Sequence, residues 1–249
     1  MEIRRVFVDK LKMKNGMAIV VGPMHKYIAT VLRKSEGDKI DLIDGKGYLY
    51  RCVINNIKSK EIYLQIIEVV HKPEEKKPKV TLCVSPIKGP RMDWLVEKAT
   101  ELGVEKILPT VFQRTVIKFD EKTKGKCERW KRITIEASRQ SGRFSIPDVL
   151  EPTPLRAVLP VVGHIEDRIV LYEKEKHNTL KTFFSPPKDG EICVVIGPEG
   201  GIDEAEIEWL KENGFVSYTL GTNIFRSETT PLVVLSIIHY ESNKKLELR

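Results

Sequence analysis

The sequence predicts an α/β protein in two parts, a small β-barrel followed by an open, mostly parallel sheet with helices. Three observations carry this. Short apolar runs separated by turn residues fill residues 1–71. A charged stretch, HKPEEKKPK at 71–79, then interrupts the chain with two prolines and no aliphatic residue. Beyond it, strand-like runs alternate with amphipathic helical ones, the rhythm of a parallel sheet. We place the boundaries at 1–71 for the barrel, 72–79 for a linker and 80–249 for the second domain.

The elements follow in order. Residues 18–21 form a strand that stops at Gly22-Pro23, and residues 24–33 suit a short helix. Residues 39–43 enter Asp44-Gly45-Lys46-Gly47, a hairpin signal, and residues 48–54 and 61–70 continue as strands. After the linker, 80–84 is a buried strand. A helix then runs from Asp93, as N-cap, to Gly103 beyond its end. Residues 107–111 form a strand. Residues 127–140 form a helix whose inner stripe is Cys127, Trp130, Ile133 and Ala137. Residues 169–172, 192–196 and 217–220 are short strands. The helix at 203–213 has Asp203 and Glu206 in capping-box spacing and Gly214 past its end. A last helix starts with Pro231 at its first position and runs through Leu232, Leu235 and Ile238.

Composition bounds the function. Apolar residues make up 41% and charged residues 31%, which is globular and excludes disordered or collagen-like classes. No run approaches the roughly 20 apolar residues of a membrane span. The first ten residues carry charge and lack the apolar core of a secretory leader. The four cysteines lie far apart with no C-x-x-C, and Cys83 and Cys193 sit in apolar runs. Reduced thiols in a cytoplasmic protein are expected, with no zinc site. The five histidines have no metal-ligand spacing, so no metal is expected. Net charge is +7, unevenly spread. Residues 1–72 hold 14 basic and 8 acidic side chains, 73–148 hold 17 and 11, and 149–249 hold 11 and 16. The basic part attracts polyanions such as nucleic acid; a solvated lysine-rich surface is the other reading.

Phosphate-binding and hydrolase motifs are absent: there is no G-x-x-x-x-G-K-[ST], G-x-G-x-x-G, H-E-x-x-H or G-x-S-x-G. What remains sits at strand ends, where ligands bind α/β sheets. The strand at 192–196 runs into Gly197-Pro198-Glu199-Gly200-Gly201, where glycines let backbone approach a ligand. A second segment, Leu220 to Pro231, is polar and holds Arg226 and Glu228, which a simple N-capping loop does not need. The strand end Leu171-Tyr172-Glu173 borders the same crevice. A basic cluster, Arg129 to Arg143, contains Trp130, Arg139, Gln140 and Arg143; it suits phosphate contact or is an ordinary exposed helix face.

At these segments the chain resembles the SPOUT class of S-adenosylmethionine-dependent RNA methyltransferases. Within that class it is similar to the bacterial 16S ribosomal RNA uridine N3-methyltransferases, the small-subunit methyltransferase E family. The motifs are G-P-E-G-G at 197–201, and L-G-x-x-I-x-R-x-E-T from Leu220 to Thr229. With them come Lys88-Gly89-Pro90-Arg91-Met92-Asp93-Trp94, Lys98 to Val104, Glu128-Arg129-Trp130 and Gln140-Ser141-Gly142-Arg143. The barrel part matches at His25, Val31-Leu32-Arg33, Gly37-Asp38 and Asp44-Gly45. The likeness covers essentially the whole chain.

The resemblance implies a PUA-like barrel, a C-terminal trefoil knot, a homodimer, and 16S ribosomal RNA or the small ribosomal subunit as partner. It implies S-adenosylmethionine held by Leu171, Tyr172, Ile196, Gly197, Pro198, Glu199, Gly200, Gly201, Leu220, Gly221, Ile224, Phe225, Arg226 and Thr229. RNA contact is expected from Arg33, Lys88, Arg91, Arg114, Arg139, Gln140 and Arg143. Arg226 is expected to meet charge developing on the uracil, with Glu228 beside it as a pairing partner and either Glu228 or water as the proton acceptor. The chain departs from the usual L-G-x-R-I-L-R-x-E-T-A at Asn223, Phe225 and Thr230. Ribose 2′-O methylation and non-catalytic RNA binding are the alternative functions.

Overall fold

The computed structural model describes residues 5–8, 11–14, 16–71, 78–117 and 123–243. Most of the expected linker, residues 72–77, lies outside them. The chain divides into two compact units. Residues 1–75 with 138–146 make the first, and residues 76–137 with 147–249 the second.

The first unit contains β1 (Arg5–Phe7), β2 (Lys12–Lys14), β3 (Met17–Val21), α1 (Pro23–Lys26), β4 (Lys39–Ile43), β5 (Tyr48–Ile57) and β6 (Glu61–His71). The strands form one sheet in the order β1-β4-β5-β6-β3-β2. All pairs are antiparallel except β1 with β4. Where one helix is expected over 24–33, α1 is a single turn that widens into a π-helical turn, Tyr27–Val31. The β4–β5 hairpin closes as its turn chemistry predicts. Asp44 Oδ1 accepts from the backbone N–H of Lys46 at 2.8 Å and Tyr48 at 3.1 Å.

Alternation along the strands splits the sheet into two faces. Ile40, Leu42, Cys52, Ile54, Ile62 and Leu64 pack into one core. Phe7, Ile43 and Leu49 alternate with these and are also buried. Segment 138–146 joins the unit here: Lys46 bridges to Ser145, and Gly47 N–H donates to Phe144 O at 3.2 Å.

The second unit holds β7 (Lys79–Val84), α2 (Pro90–Glu101), β8 (Lys106–Val111) and most of α3 (Thr123–Gln140). Then come β9 (Asp148–Val149), β10 (Thr153–Pro154), α4 (Leu159–Val162), β11 (Asp167–Leu171) and α5 (Leu180–Phe183). Last are β12 (Glu191–Ile196), α6 (Glu204–Glu212), β13 (Val216–Tyr218) and α7 (Thr229–Asn243). The main path of the sheet is β10-β8-β7-β12-β11-β13, with β9 beside β8, and every pair is parallel.

Parallel sheets are covered on both faces, so their strands read as unbroken apolar runs. Along β12, Ile192, Val194 and Ile196 face one core with residues of α2, α3 and α7. Cys193 and Val195 face the other, with residues of α4 and α6. All four cysteines are buried free thiols. The capping box of α6 forms: Asp203 accepts from Ala205 N–H, and Glu206 reaches back to Asp203 N–H. The start of α2 differs from expectation. Gly89, at φ 69°, is its N-cap with Pro90 in the first turn, and Asp93 instead pairs with Arg129 at 2.6 Å. Likewise α7 begins at Thr229 rather than Pro231.

Candidate functional site

A cavity of about 660 Å³ opens where the carboxyl ends of β11, β12 and β13 meet. Its walls are the three strand-end segments. Leu171 to Glu173 follow β11, Ile196 to Ile202 follow β12, and Tyr218 to Glu228 follow β13. Arg91, in the first turn of α2, adds one side chain. Of the residues expected to hold a cofactor, all but Thr229 line this space. Thr229 begins α7, and its N–H donates to Arg226 O at 2.9 Å. Tyr218 and Thr219 also line the cavity but carried no separate signal in the sequence. Their types are ordinary, and only the convergence of the strand ends brings them there.

Each segment is held by local bonds. Tyr172 N–H donates to Tyr218 O at 3.1 Å, tying two walls together. The Thr219 hydroxyl donates to Gly221 O and accepts from Gly221 N–H, closing a small turn. Gly221 sits at φ +116°, and a Cβ built there meets nothing within 4 Å, so its flank is open. In the loop after β12, Gly201 has φ +75°, and a Cβ there would lie 2.6 Å from Glu173 Oε1. A Cβ on Gly197 would strike Ile202, whereas one on Gly200 would only touch Arg114 at 3.5 Å. Behind the cavity, Glu175 accepts from Ser217 and from the backbone N–H groups of Lys176, His177 and Asn178. These bonds, the Ser217 hydroxyl first, pull its carboxyl down to about 2.

The two expected catalytic residues sit differently. Arg226 is exposed and, among the described residues, pairs with no carboxylate. Glu228 is only 8% exposed. Its Oε2 has no hydrogen-bond partner and lies 3.6 Å from Arg91 Nη1. That separation is an ion pair without a hydrogen bond.

The expected RNA-contact residues fall into two sets. Arg33, Arg139, Gln140 and Arg143 belong to the first unit. Arg33 and Gln140 are exposed. Arg139 donates to Tyr27 OH and lies 5.4 Å over its ring. Arg143 donates to Ser145 at 3.3 Å. Lys88, Arg91 and Arg114 belong to the second unit. Lys88 is exposed. Arg114 instead binds the cavity loop, donating to Gly200 O at 3.1 Å and pairing with Asp203 at 2.8 Å. Arg91 is paired with carboxylates of the cavity. Among the described residues, no group of three His, Cys, Asp or Glu side chains is placed to hold a metal. No described helix is long and apolar enough to cross a membrane.

The geometry suits a small nucleoside-bearing ligand. The volume is in the range of such sites, the lining mixes apolar side chains with glycines, and it includes Glu228, whose Oε2 is buried without a hydrogen bond.

Comparison with known proteins agrees with this picture. A family profile described as an RNA methyltransferase domain matches residues 74–239, and one described as an RNA methyltransferase PUA domain matches 26–67. The chain is 32% identical to ribosomal RNA small subunit methyltransferase E of Bacillus subtilis, over 96% of this chain and 97% of that one. The Aquifex aeolicus protein of the same name is 32% identical over 83% of this chain and 88% of its own. The crystal structure of ribosomal RNA small subunit methyltransferase E from Neisseria gonorrhoeae bound to S-adenosyl methionine superposes with a TM-score of 0.83. It shares 26% identity over 96% of this chain and 98% of that one.

Proposed function

The chain belongs to the ribosomal RNA small subunit methyltransferase E family, and we propose that it methylates N3 of a uridine in 16S ribosomal RNA. The methyl donor is S-adenosylmethionine, whose sulfonium supplies an already activated methyl group. The observation that carries the reading is the convergence of three strand-end segments on one cavity that is also lined by Glu228, a buried carboxylate.

In this reading Leu171, Tyr172, Ile196 to Gly201 and Leu220 to Phe225 hold the cofactor, largely through backbone. These walls keep water from the methyl and fix the line of attack on it. Uracil N3 is a poor nucleophile until its proton leaves. The Glu228 carboxylate accepts that proton. Arg226, which pairs with no carboxylate among the described residues, donates to the uracil carbonyl that gathers charge. The uracil imino edge is hidden in a duplex, so the target base is unpaired or flipped out.

The first unit acts as a PUA-like barrel that grips RNA, with Arg33, Arg139, Gln140 and Arg143 as its contacts and Lys88 adding one from the second unit. The segments around 196–201 and 220–229 form a trefoil knot, two copies pair as a homodimer, and the enzyme works in the cytoplasm. The test is nucleoside mass spectrometry of 16S ribosomal RNA treated with the protein and S-adenosylmethionine. N3-methyluridine is expected. A 2′-O-methylated nucleoside, or no methylation with RNA binding intact, would replace this reading with one of its two alternatives.

A further inference from the structure

Arg91 stands at a junction of the cavity. Its Nη1 lies 2.5 Å from Glu199 Oε1 on the loop after β12, and 3.6 Å from Glu228 Oε2 on the loop before α7. One nitrogen on α2 therefore holds two loops. The two carboxylates are not equivalent. Glu199 keeps 38% of its side chain in water, whereas Glu228 keeps 10%. Glu228 Oε2 also lacks a hydrogen bond. A buried carboxylate is costly unless a counter-charge stands close. Among the described residues, Arg91 is the one cation within 4.0 Å of it.

Glu228 is thus held electrostatically, with Oε2 buried toward Arg91 and the rest of the carboxylate lining the cavity. A ligand that brings an N–H donor to that carboxylate completes it. Uracil carries such a donor at N3, flanked by two carbonyls. Cytosine presents a lone pair at N3, which would face the carboxylate unfavourably.

We infer that Arg91 is a positioning residue for methyl transfer, which fixes the Glu228 carboxylate through Oε2 so that the carboxylate meets the N3–H of uracil and selects uridine. This rests on the N3 reading above. In the step, the proton passes from N3 to the Glu228 carboxylate. The N3 electron pair forms the bond to the methyl carbon. The pair of the broken carbon–sulfur bond stays on sulfur, which loses its positive charge. Arg91 touches none of the reacting atoms.

A phosphate-contact role for Arg91, the expectation from sequence, has a different signature, so two measurements on the full chain decide. The first is single-turnover methylation of 16S ribosomal RNA by Arg91→Met and Arg91→Lys at several salt concentrations. Arg91→Met is expected to lower the saturating rate by about 10-fold or more, with half-saturating RNA and the salt slope unchanged. Arg91→Lys should recover part of the rate, because an ammonium restores the charge but not the fork. A saturating rate within about threefold of wild type, with weaker RNA binding and a salt slope smaller by about one, would overturn the proposal. The second is thermal melting without RNA or cofactor. Arg91→Met should lower Tm, and adding Glu228→Gln should raise it again, since the stranded buried charge is then gone. Failure to recover would show that Arg91 does not hold Glu228. The melt does not depend on which atom is methylated. The wild-type product nucleoside reads that separately, so failure of the clasp and failure of the N3 reading are told apart.

Discussion

Arg226 is placed by its backbone rather than by its side chain. Its carbonyl accepts from the N–H groups of Thr229 at 2.9 Å and Thr230 at 3.0 Å, so the first turn of α7 fixes its Cα. The guanidinium stays exposed, where a surface ion pair would be worth at most about 1 kcal/mol. Arg226→Ala should therefore leave Tm unchanged. Its single-turnover rate should fall about 100-fold, as when an oxyanion donor is removed. Arg226→Lys should restore only part of it. A rate within about threefold of wild type, under about 0.7 kcal/mol in barrier, would remove Arg226 from the reaction. Both Arg226 and Glu228 stand out in the sequence as charges a capping loop does not need. Their spacing suggests that they pair with each other, and they do not: Glu228 faces Arg91, far off in the chain. Only the fold brings α2 to that loop, so local spacing could not reveal the partner.

At the scale of elements, what is local is legible. The α6 capping box was readable because both partners lie within one turn. Asp203→Ala should cost about 1 kcal/mol, seen in denaturant melts. That variant also frees Arg114 from its carboxylate, so the loss should shrink when Arg114 is already alanine. The glycine loop is harder to read, since its three glycines look alike in sequence. Gly200→Ala should melt as wild type does, because its Cβ has room beside Arg114. Gly201→Ala should destabilise the loop and weaken binding, because it must hold φ +75° against Glu173. The segment after β11 carries a pH dependence. Glu175 has its carboxyl pulled down to about 2 from the usual 4.5. It therefore adds stability above about pH 4.5 that is lost as pH falls from there toward about 2. Glu175→Gln removes that dependence. Its drop in Tm between pH 7 and pH 3 should be smaller than that of wild type, and an equal drop would mean the bonds to Ser217 and the backbone carry no net stability.

Across the whole molecule, the switch from two-residue to helical periodicity near residue 80 marks where the parallel sheet begins. The return of residues 138–146 to the first unit is not marked, because its partners, Lys46 and Gly47, lie in a distant hairpin turn. Charge follows a similar division: 31 of the 42 basic residues fall in 1–148, while 149–249 holds more acidic than basic side chains. RNA binding releases counterions from phosphates, so its affinity must fall linearly with salt on logarithmic axes, by a slope near 0.7 to 0.9 per contact. A cofactor held by backbone and apolar side chains has no such term. Not every arginine of the basic part counts toward that slope. Arg91 and Arg114 are already paired with carboxylates, so neutralising them should leave it unchanged. Arg33 and Lys88 are exposed and are the better candidates. Arg33→Gln and Lys88→Gln should each weaken binding of 16S ribosomal RNA and lower the slope by about one. Their affinity for S-adenosylmethionine should match wild type. If Arg114→Gln lowered the slope as much as Lys88→Gln does, its bonds to Gly200 and Asp203 must be given up to phosphate when RNA arrives. The cofactor loop and the RNA would then be coupled through that side chain, and cofactor affinity would change on RNA binding by the same factor as RNA affinity on cofactor binding.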